Sequence, residues 1–263
     1  MKSKIRRKYI NMNSIILQTE NLEKSFSTEY GMHRVLKGIS VDFFQGDFTA
    51  IMGESGSGKS TLLYALSGMD TPTDGRVLSA GKNLVNMNVN QLAEYRKRHC
   101  GFVFQNNCLI PSMNVMDNIL ISGLLGSNKK KEVIHAAERL LNQVGIAPDA
   151  RTKYPSQISG GMAQRVGIVR ALINSPELLF ADEPTGALDS QSSKEVLDIF
   201  TSFNRAGQSI IMVTHDIKTA IRANRILYLK DGNIVGEFRL EPYGMDDFGR
   251  INKVNEFLEA MRW

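Results

Sequence analysis

The chain has 263 residues, 42% hydrophobic and 22% charged, which is ordinary for a globular protein and long enough for one large domain or two small ones. The net charge of +5 is carried by Lys2, Lys4, Arg6, Arg7 and Lys8; the remaining 27 basic residues balance 27 acidic ones, so a broad nucleic-acid surface is not expected. Cys100 and Cys108 make neither a disulfide framework nor a zinc spacing, and no apolar stretch approaches the ~20 residues that span a bilayer.

Residues 1–13 form a basic head, read as a disordered tail, with contact to an anionic membrane as the alternative; Met12 is an alternative start. No apolar core of a signal peptide follows, so a cytoplasmic protein is expected. Strands are expected at 15–20 and 39–44, with a polar turn around Gly31 between them. Phe48–Met52 reads as a buried strand and 61–66 as a helix ending at Gly68. A short strand at 76–79, a charged helix at 90–99 and a strand at 101–104 ending in Gln105 come next. Composition then shifts, and 106–165 reads as a mostly helical insertion. Ser159-Gly160-Gly161 opens a helix over 162–173. Beyond it, strands at 178–181 and 209–213 alternate with a helix at 191–205, ahead of a terminal hairpin around Gly232. This alternation predicts a parallel core sheet with right-handed crossovers.

The chemistry concentrates at three strand ends. Gly53-Glu54-Ser55-Gly56-Ser57-Gly58-Lys59-Ser60-Thr61 fits the phosphate-binding loop and lies between a strand and a helix, as that motif demands. Glycines let the backbone wrap a polyphosphate, Lys59 can reach the β- and γ-phosphates, and the Ser60 hydroxyl is a hard ligand suited to Mg²⁺. Asp182 and Glu183 end a buried apolar strand, where an Asp can hold Mg²⁺ and a second carboxylate can polarise the attacking water. Gln105, in reach of the metal or the water, and His215, a donor to the γ-phosphate, also follow strands.

These motifs, with the Ser159-Gly160-Gly161 signature and Gly186-Ala187-Leu188-Asp189, stand in the order of ATP-binding-cassette (ABC) ATPases, which the chain resembles over about 15–240. The resemblance implies an α/β P-loop fold with a mainly parallel core sheet, an antiparallel β layer and a helical subdomain at about 106–165, all within a cassette spanning 14–240. It also implies ATP and Mg²⁺ as cofactors and a head-to-tail homodimer. ATP would lie between the phosphate loop of one copy and Ser159, Gly160 and Gly161 of the other, with Asp189 in the adjoining loop. The adenine-stacking aromatic would fall at Phe26, with Tyr30 as rival. Methionine stands at 162 where the family usually has glutamine, which implies weakened but intact function.

Within the family the chain resembles the macrolide-exporter and lipoprotein-release branch. Its tail, 241–263, resembles that of bacitracin- and lantibiotic-type peptide exporters. The implied protein is a bacterial ATPase at the cytoplasmic face of the membrane, powering a separate integral membrane permease for antimicrobial-peptide export or resistance, with no nucleic-acid partner. The alternative is a non-transporting ABC ATPase that transmits force through a membrane partner. Ile251, Val254, Leu258 and Met261 recur at helical spacing, so the tail is expected to form a short amphipathic helix lying outside the nucleotide site, its apolar face packed on its own domain, with the dimer mate or a groove of the membrane partner as alternatives.

Overall fold

The computed structural model describes residues 14–29, 31–244 and 249–263, so the basic head, Met12 and Tyr30 lie outside the described residues. β1 (Ile15–Thr28) and β2 (Gly31–Phe44) pair antiparallel along their full length, and β1 also pairs with β4 (Asp74–Ser79), which carries the short β5 (Lys82–Asn83). The two predicted strands at 15–20 and 39–44 are thus the inner halves of one long hairpin. Its outer half, from Ser25 with Arg34 to Thr28 with Gly31, pairs only within itself and is mostly exposed. With neither face buried it carries no apolar alternation to reveal a strand.

The second sheet has the order β10-β9-β3-β8-β7-β6. β3 (Phe48–Met52), β6 (Cys100–Phe104), β7 (Leu178–Asp182), β8 (Ser209–Val213) and β9 (Arg225–Lys230) are parallel, and β10 (Asn233–Arg239) closes one edge antiparallel. All five residues of β3 and of β8 are buried, as strands covered on both faces require. One face packs on α1 (Lys59–Leu66) and the antiparallel layer through Leu62, Leu66, Leu17 and Leu36. The other packs on α6 (Ser190–Arg205) and α8 (Arg250–Ala260) through Val196, Phe200, Val254 and Leu258. The tail is therefore helical, as its spacing predicts, and of the possible partners for its apolar face it packs on its own domain.

The helical region has its own core, in which α3 (Val115–Gly126) and α4 (Lys130–Gln143) bury Ile119, Val133 and Leu141. α5 (Gly160–Leu172) belongs to both parts. Val166 and Val169 face that core, while Ile168 and Leu172 face the sheet, so the insertion grades into the sheet rather than stopping at 165. α2 (Val89–His99) starts with a capping box between Asn88 and Gln91. The single turn α7 (Ile217–Ala220) leads into β9. Among the described residues no helix is long and apolar enough to cross a membrane.

Candidate functional site

The carboxyl ends of β3, β7 and β8 converge on one cavity of about 740 Å³. Its wall contains Gly53, Glu54, Ser55, Gly56, Gly58, Lys59, Ser60 and Thr61, together with Glu183 and His215. The loop can fold this way because Gly56 and Gly58 take φ of +81° and +101°, a left-handed region that favours glycine. Gly58 is the N-cap of α1 and no side chain caps the helix there. The first N–H groups of α1 consequently lack intrahelical partners and, with the dipole, suit an anion. Lys59 is 7% exposed and its ammonium donates to the carbonyls of Gly53 (2.9 Å) and Glu54 (2.7 Å). Burial lowers its pKa from the usual lysine value, while Glu183 and Asp182 pull it back up.

Asp182 accepts two hydroxyl hydrogen bonds, from Ser60 at 3.0 Å and from Tyr64 at 2.7 Å. Ser60 and Tyr64 are one helical turn apart on α1, so both reach β7 from the same face. Burial, and then the bond to Asp182, push the Tyr64 phenol up to about 12. Glu183 is a non-glycine residue at φ +44°, its N–H tied to the carbonyl of Val213 at 3.0 Å. A left-handed conformation at such a residue costs on the order of 1–3 kcal/mol and tends to mark functional positions. Its carboxylate meets Nδ1 of His215 at 3.0 Å. An ionised carboxylate only accepts, so Nδ1 carries the proton, and a neutral ring then presents a lone pair at Nε2. Donation by His215 to a phosphate needs the imidazolium or the other tautomer. Together these groups can cradle a polyphosphate, supply oxygen ligands at Ser60 and Asp182, and place a base at Glu183.

A family model described as "ABC transporter" matches residues 36–186, more than half of the chain. The chain belongs to the ABC transporter family. It is similar to the lipoprotein-releasing system ATP-binding protein LolD of Aquifex aeolicus, 46% identical over 84% of this chain and 97% of that protein. It is also similar to the macrolide export ATP-binding/permease protein MacB of Pasteurella multocida, at 39% identity over 86% of this chain but 35% of that longer protein. Among solved structures it resembles the dimeric ATP-binding cassette MJ0796 in a post-hydrolysis state with ADP and phosphate. The TM-score is 0.79 and the identity 33%, covering 86% of this chain and all of that one. The chain is thus an ABC ATPase of the LolD and MacB type, with the cassette fold its sequence implied.

Within this ABC cassette not every expected residue reaches the cavity. Gln105 is exposed, and its amide lies over Gly186, where an added Cβ would come within 2.8 Å of Nε2; it is not part of the cavity wall. Phe26 also stands outside that wall, 42% exposed, with the Lys24 ammonium 4.9 Å from its ring centre. Ser159 is the N-cap of α5, its hydroxyl accepting from the Met162 N–H at 3.2 Å. Gly160 and Gly161 follow beside Leu188 and Ser192. Asp189 is the N-cap of α6 and accepts from the N–H groups of Gln191 and Ser192. Hydrogen bonding from Ser192 holds its carboxyl below the usual aspartate value. These four residues form a surface apart from the chain's own cavity.

Two wall residues escaped the sequence reading. Val35 faces Gly58 across a close approach, and Trp263 at the far end of the chain lines the cavity. The expectation that the tail stays clear of the nucleotide site is corrected here, because α8 lies on the sheet beside β10 and the residue after its last turn, Trp263, lines the cavity. Tyr64 was equally unassigned; its position four residues after Ser60 on α1 was the available signal.

Proposed function

We propose that this ATPase works as a homodimer with Mg²⁺, energising a separate membrane permease from the cytoplasmic face. The observation that carries the reading is the convergence of the phosphate loop, Glu183 and His215 at one cavity, with Asp182 held behind it by the Ser60 hydroxyl. Ser60 and Asp182 are hard oxygen donors already 3.0 Å apart, which fits a magnesium ion shared with nucleotide phosphates. Among the described residues no cluster of three or more His, Cys, Asp or Glu could cage a metal alone, in keeping with that sharing. When bound, the ion neutralises charge on the phosphates. Lys59 and the loop amides hold the phosphates, Glu183 accepts the proton of the attacking water, and His215 orients that carboxylate through Nδ1.

Dimerisation is supported by the separation of Ser159, Gly160 and Gly161 from the chain's own cavity and by the dimeric form of MJ0796. A second copy would lay the N-terminus of α5, with the N–H groups of Gly160 and Gly161, over the phosphates, with Asp189 fixing the neighbouring loop and Gln105 as a sensor of the γ-phosphate. The permease is supported by MacB, in which an ATP-binding part and a permease share one chain. The cargo is proposed to be a peptide antibiotic, on the resemblance of the tail; deletion of the gene should then lower resistance to bacitracin- or lantibiotic-like peptides. The reading is tested by Glu183→Gln, which should keep ATP binding, trap an ATP-dependent dimer in sedimentation, and cut turnover by ~10²–10⁴-fold. Lys59→Ala should instead weaken ATP binding. Near-wild-type turnover in Glu183→Gln would end the assignment.

A further inference from the structure

We propose that Tyr64 is a positioning residue that makes this ATPase discriminate Mg²⁺ from Ca²⁺, an inference resting on the ATP and Mg²⁺ reading above. The two oxygens of Asp182 are held separately. Oδ1 accepts from the Ser60 hydroxyl at 3.0 Å, and Oδ2 accepts from the Tyr64 phenol at 2.7 Å. Both donors stand on α1, so one helix sets the plane of the carboxylate. To chelate an ion that Ser60 also ligates, Asp182 would have to bring Oδ2 round to the Ser60 side, away from the phenol. While the phenol holds, Asp182 presents one oxygen there and not two.

Presenting one oxygen selects between ions. Mg²⁺ demands a near-ideal octahedron and keeps several waters, so a single carboxylate oxygen suits it. Ca²⁺ takes roughly six to eight oxygens in a flexible arrangement, and a carboxylate that chelates with both oxygens helps to fill that number. An aspartate pinned at one end thus favours the smaller ion, and an aspartate free to swing does not. Hydrogen bonds to a ligating carboxylate commonly orient it in this way. The pin is itself fixed. The Tyr64 ring packs against the core between α1 and the antiparallel layer. Its backbone carbonyl accepts the N–H groups of Met69 at 2.9 Å and Asp70 at 3.1 Å, where the chain leaves α1.

Tyr64→Phe keeps the packed ring and removes the hydrogen bond alone. Equilibrium dialysis of the full chain with a non-hydrolysable ATP analogue gives the affinity in excess Mg²⁺, in excess Ca²⁺ and with a chelator in place of metal. The readout is binding, not turnover. Wild type should hold the magnesium complex more tightly than the calcium complex. In Tyr64→Phe the ratio of the calcium to the magnesium dissociation constant should fall by roughly tenfold, the scale of one hydrogen bond to an ionised acceptor. A tyrosine that served the fold alone would, when replaced, weaken both complexes alike and leave that ratio where it was. An unchanged or larger ratio in the variant therefore overturns the proposal, and so does a wild-type chain with no preference between the two ions. Wild-type binding as tight with the chelator as with Mg²⁺ is a different result, and it removes the magnesium reading as well.

Discussion

Arg250→Met tests what anchors the C-terminal helix. Arg250 is 1% exposed, and its guanidinium donates to the backbone carbonyls of Ile221, Glu241 and Ala223. It thereby ties the first turn of α8 to the loop before β9 and to the segment after β10. Hydrogen bonds from a charged donor contribute ~1.5–3 kcal/mol each, so three represent a gross loss on the order of 5–9 kcal/mol. Methionine keeps the aliphatic stem, and its burial no longer requires an ion to leave water, which returns several kcal/mol. A net destabilisation of about 3 kcal/mol remains. With a urea slope of about 2–3 kcal/mol per molar, the unfolding midpoint should fall by roughly 1–1.5 M. Urea titration followed by both far-ultraviolet circular dichroism and Trp263 emission is the assay. Because the anchor is local, the emission transition should move ahead of the dichroism transition. Unchanged midpoints by both probes would refute the reasoning, showing that the apolar face of α8 holds it without the arginine.

Tyr64→Phe removes one of the two hydroxyls that hold Asp182 and should lower ATP turnover by about tenfold, the effect of ~1.5 kcal/mol from one bond to an ionised acceptor. With the phenol raised to about 12, the ratio of wild-type to variant turnover should stay flat from about pH 7 to 10; a sloping ratio or an unchanged rate contradicts the positioning role. Glu237 is held below the usual glutamate value by its hydrogen bond from Arg225. A lowered folded pKa stabilises above the unfolded value and is lost as pH falls through the folded one. Glu237→Gln should therefore be less stable at neutral pH, with the gap in urea midpoint closing below about pH 4; a constant gap would assign the loss to packing instead.

The parts of this protein legible in its sequence are those where one local rule decides. Glycines with a lysine between a strand and a helix can do little except wrap phosphate, and Leu178–Ala181 could only be a strand covered on both faces. Asp182 and Glu183 followed from that strand's end. What escaped needs contacts between distant segments. The outer half of the β1–β2 hairpin is set by pairing rather than burial. Tyr64 acquires meaning only when β7 lies against α1, 118 residues away in sequence from Asp182. Arg250 reads as a solvated charge at a helix start, yet three carbonyls from the chain's other turns surround it. Trp263 had a correct helix before it, but nothing in a helical period tells where the residue after the last turn points.

The ammonium of Lys59 has three hydrogens, and two already rest on the carbonyls of Gly53 and Glu54 before any ligand arrives. The long side chain is therefore immobilised when the protein folds. Freezing a free lysine costs up to about 2 kcal/mol, and a flexible one would forfeit that amount at each encounter with nucleotide. In this chain that loss is already met by folding. The remaining hydrogen would then meet a phosphate from a side chain whose freedom is already spent, so nucleotide binding would not have to order it again.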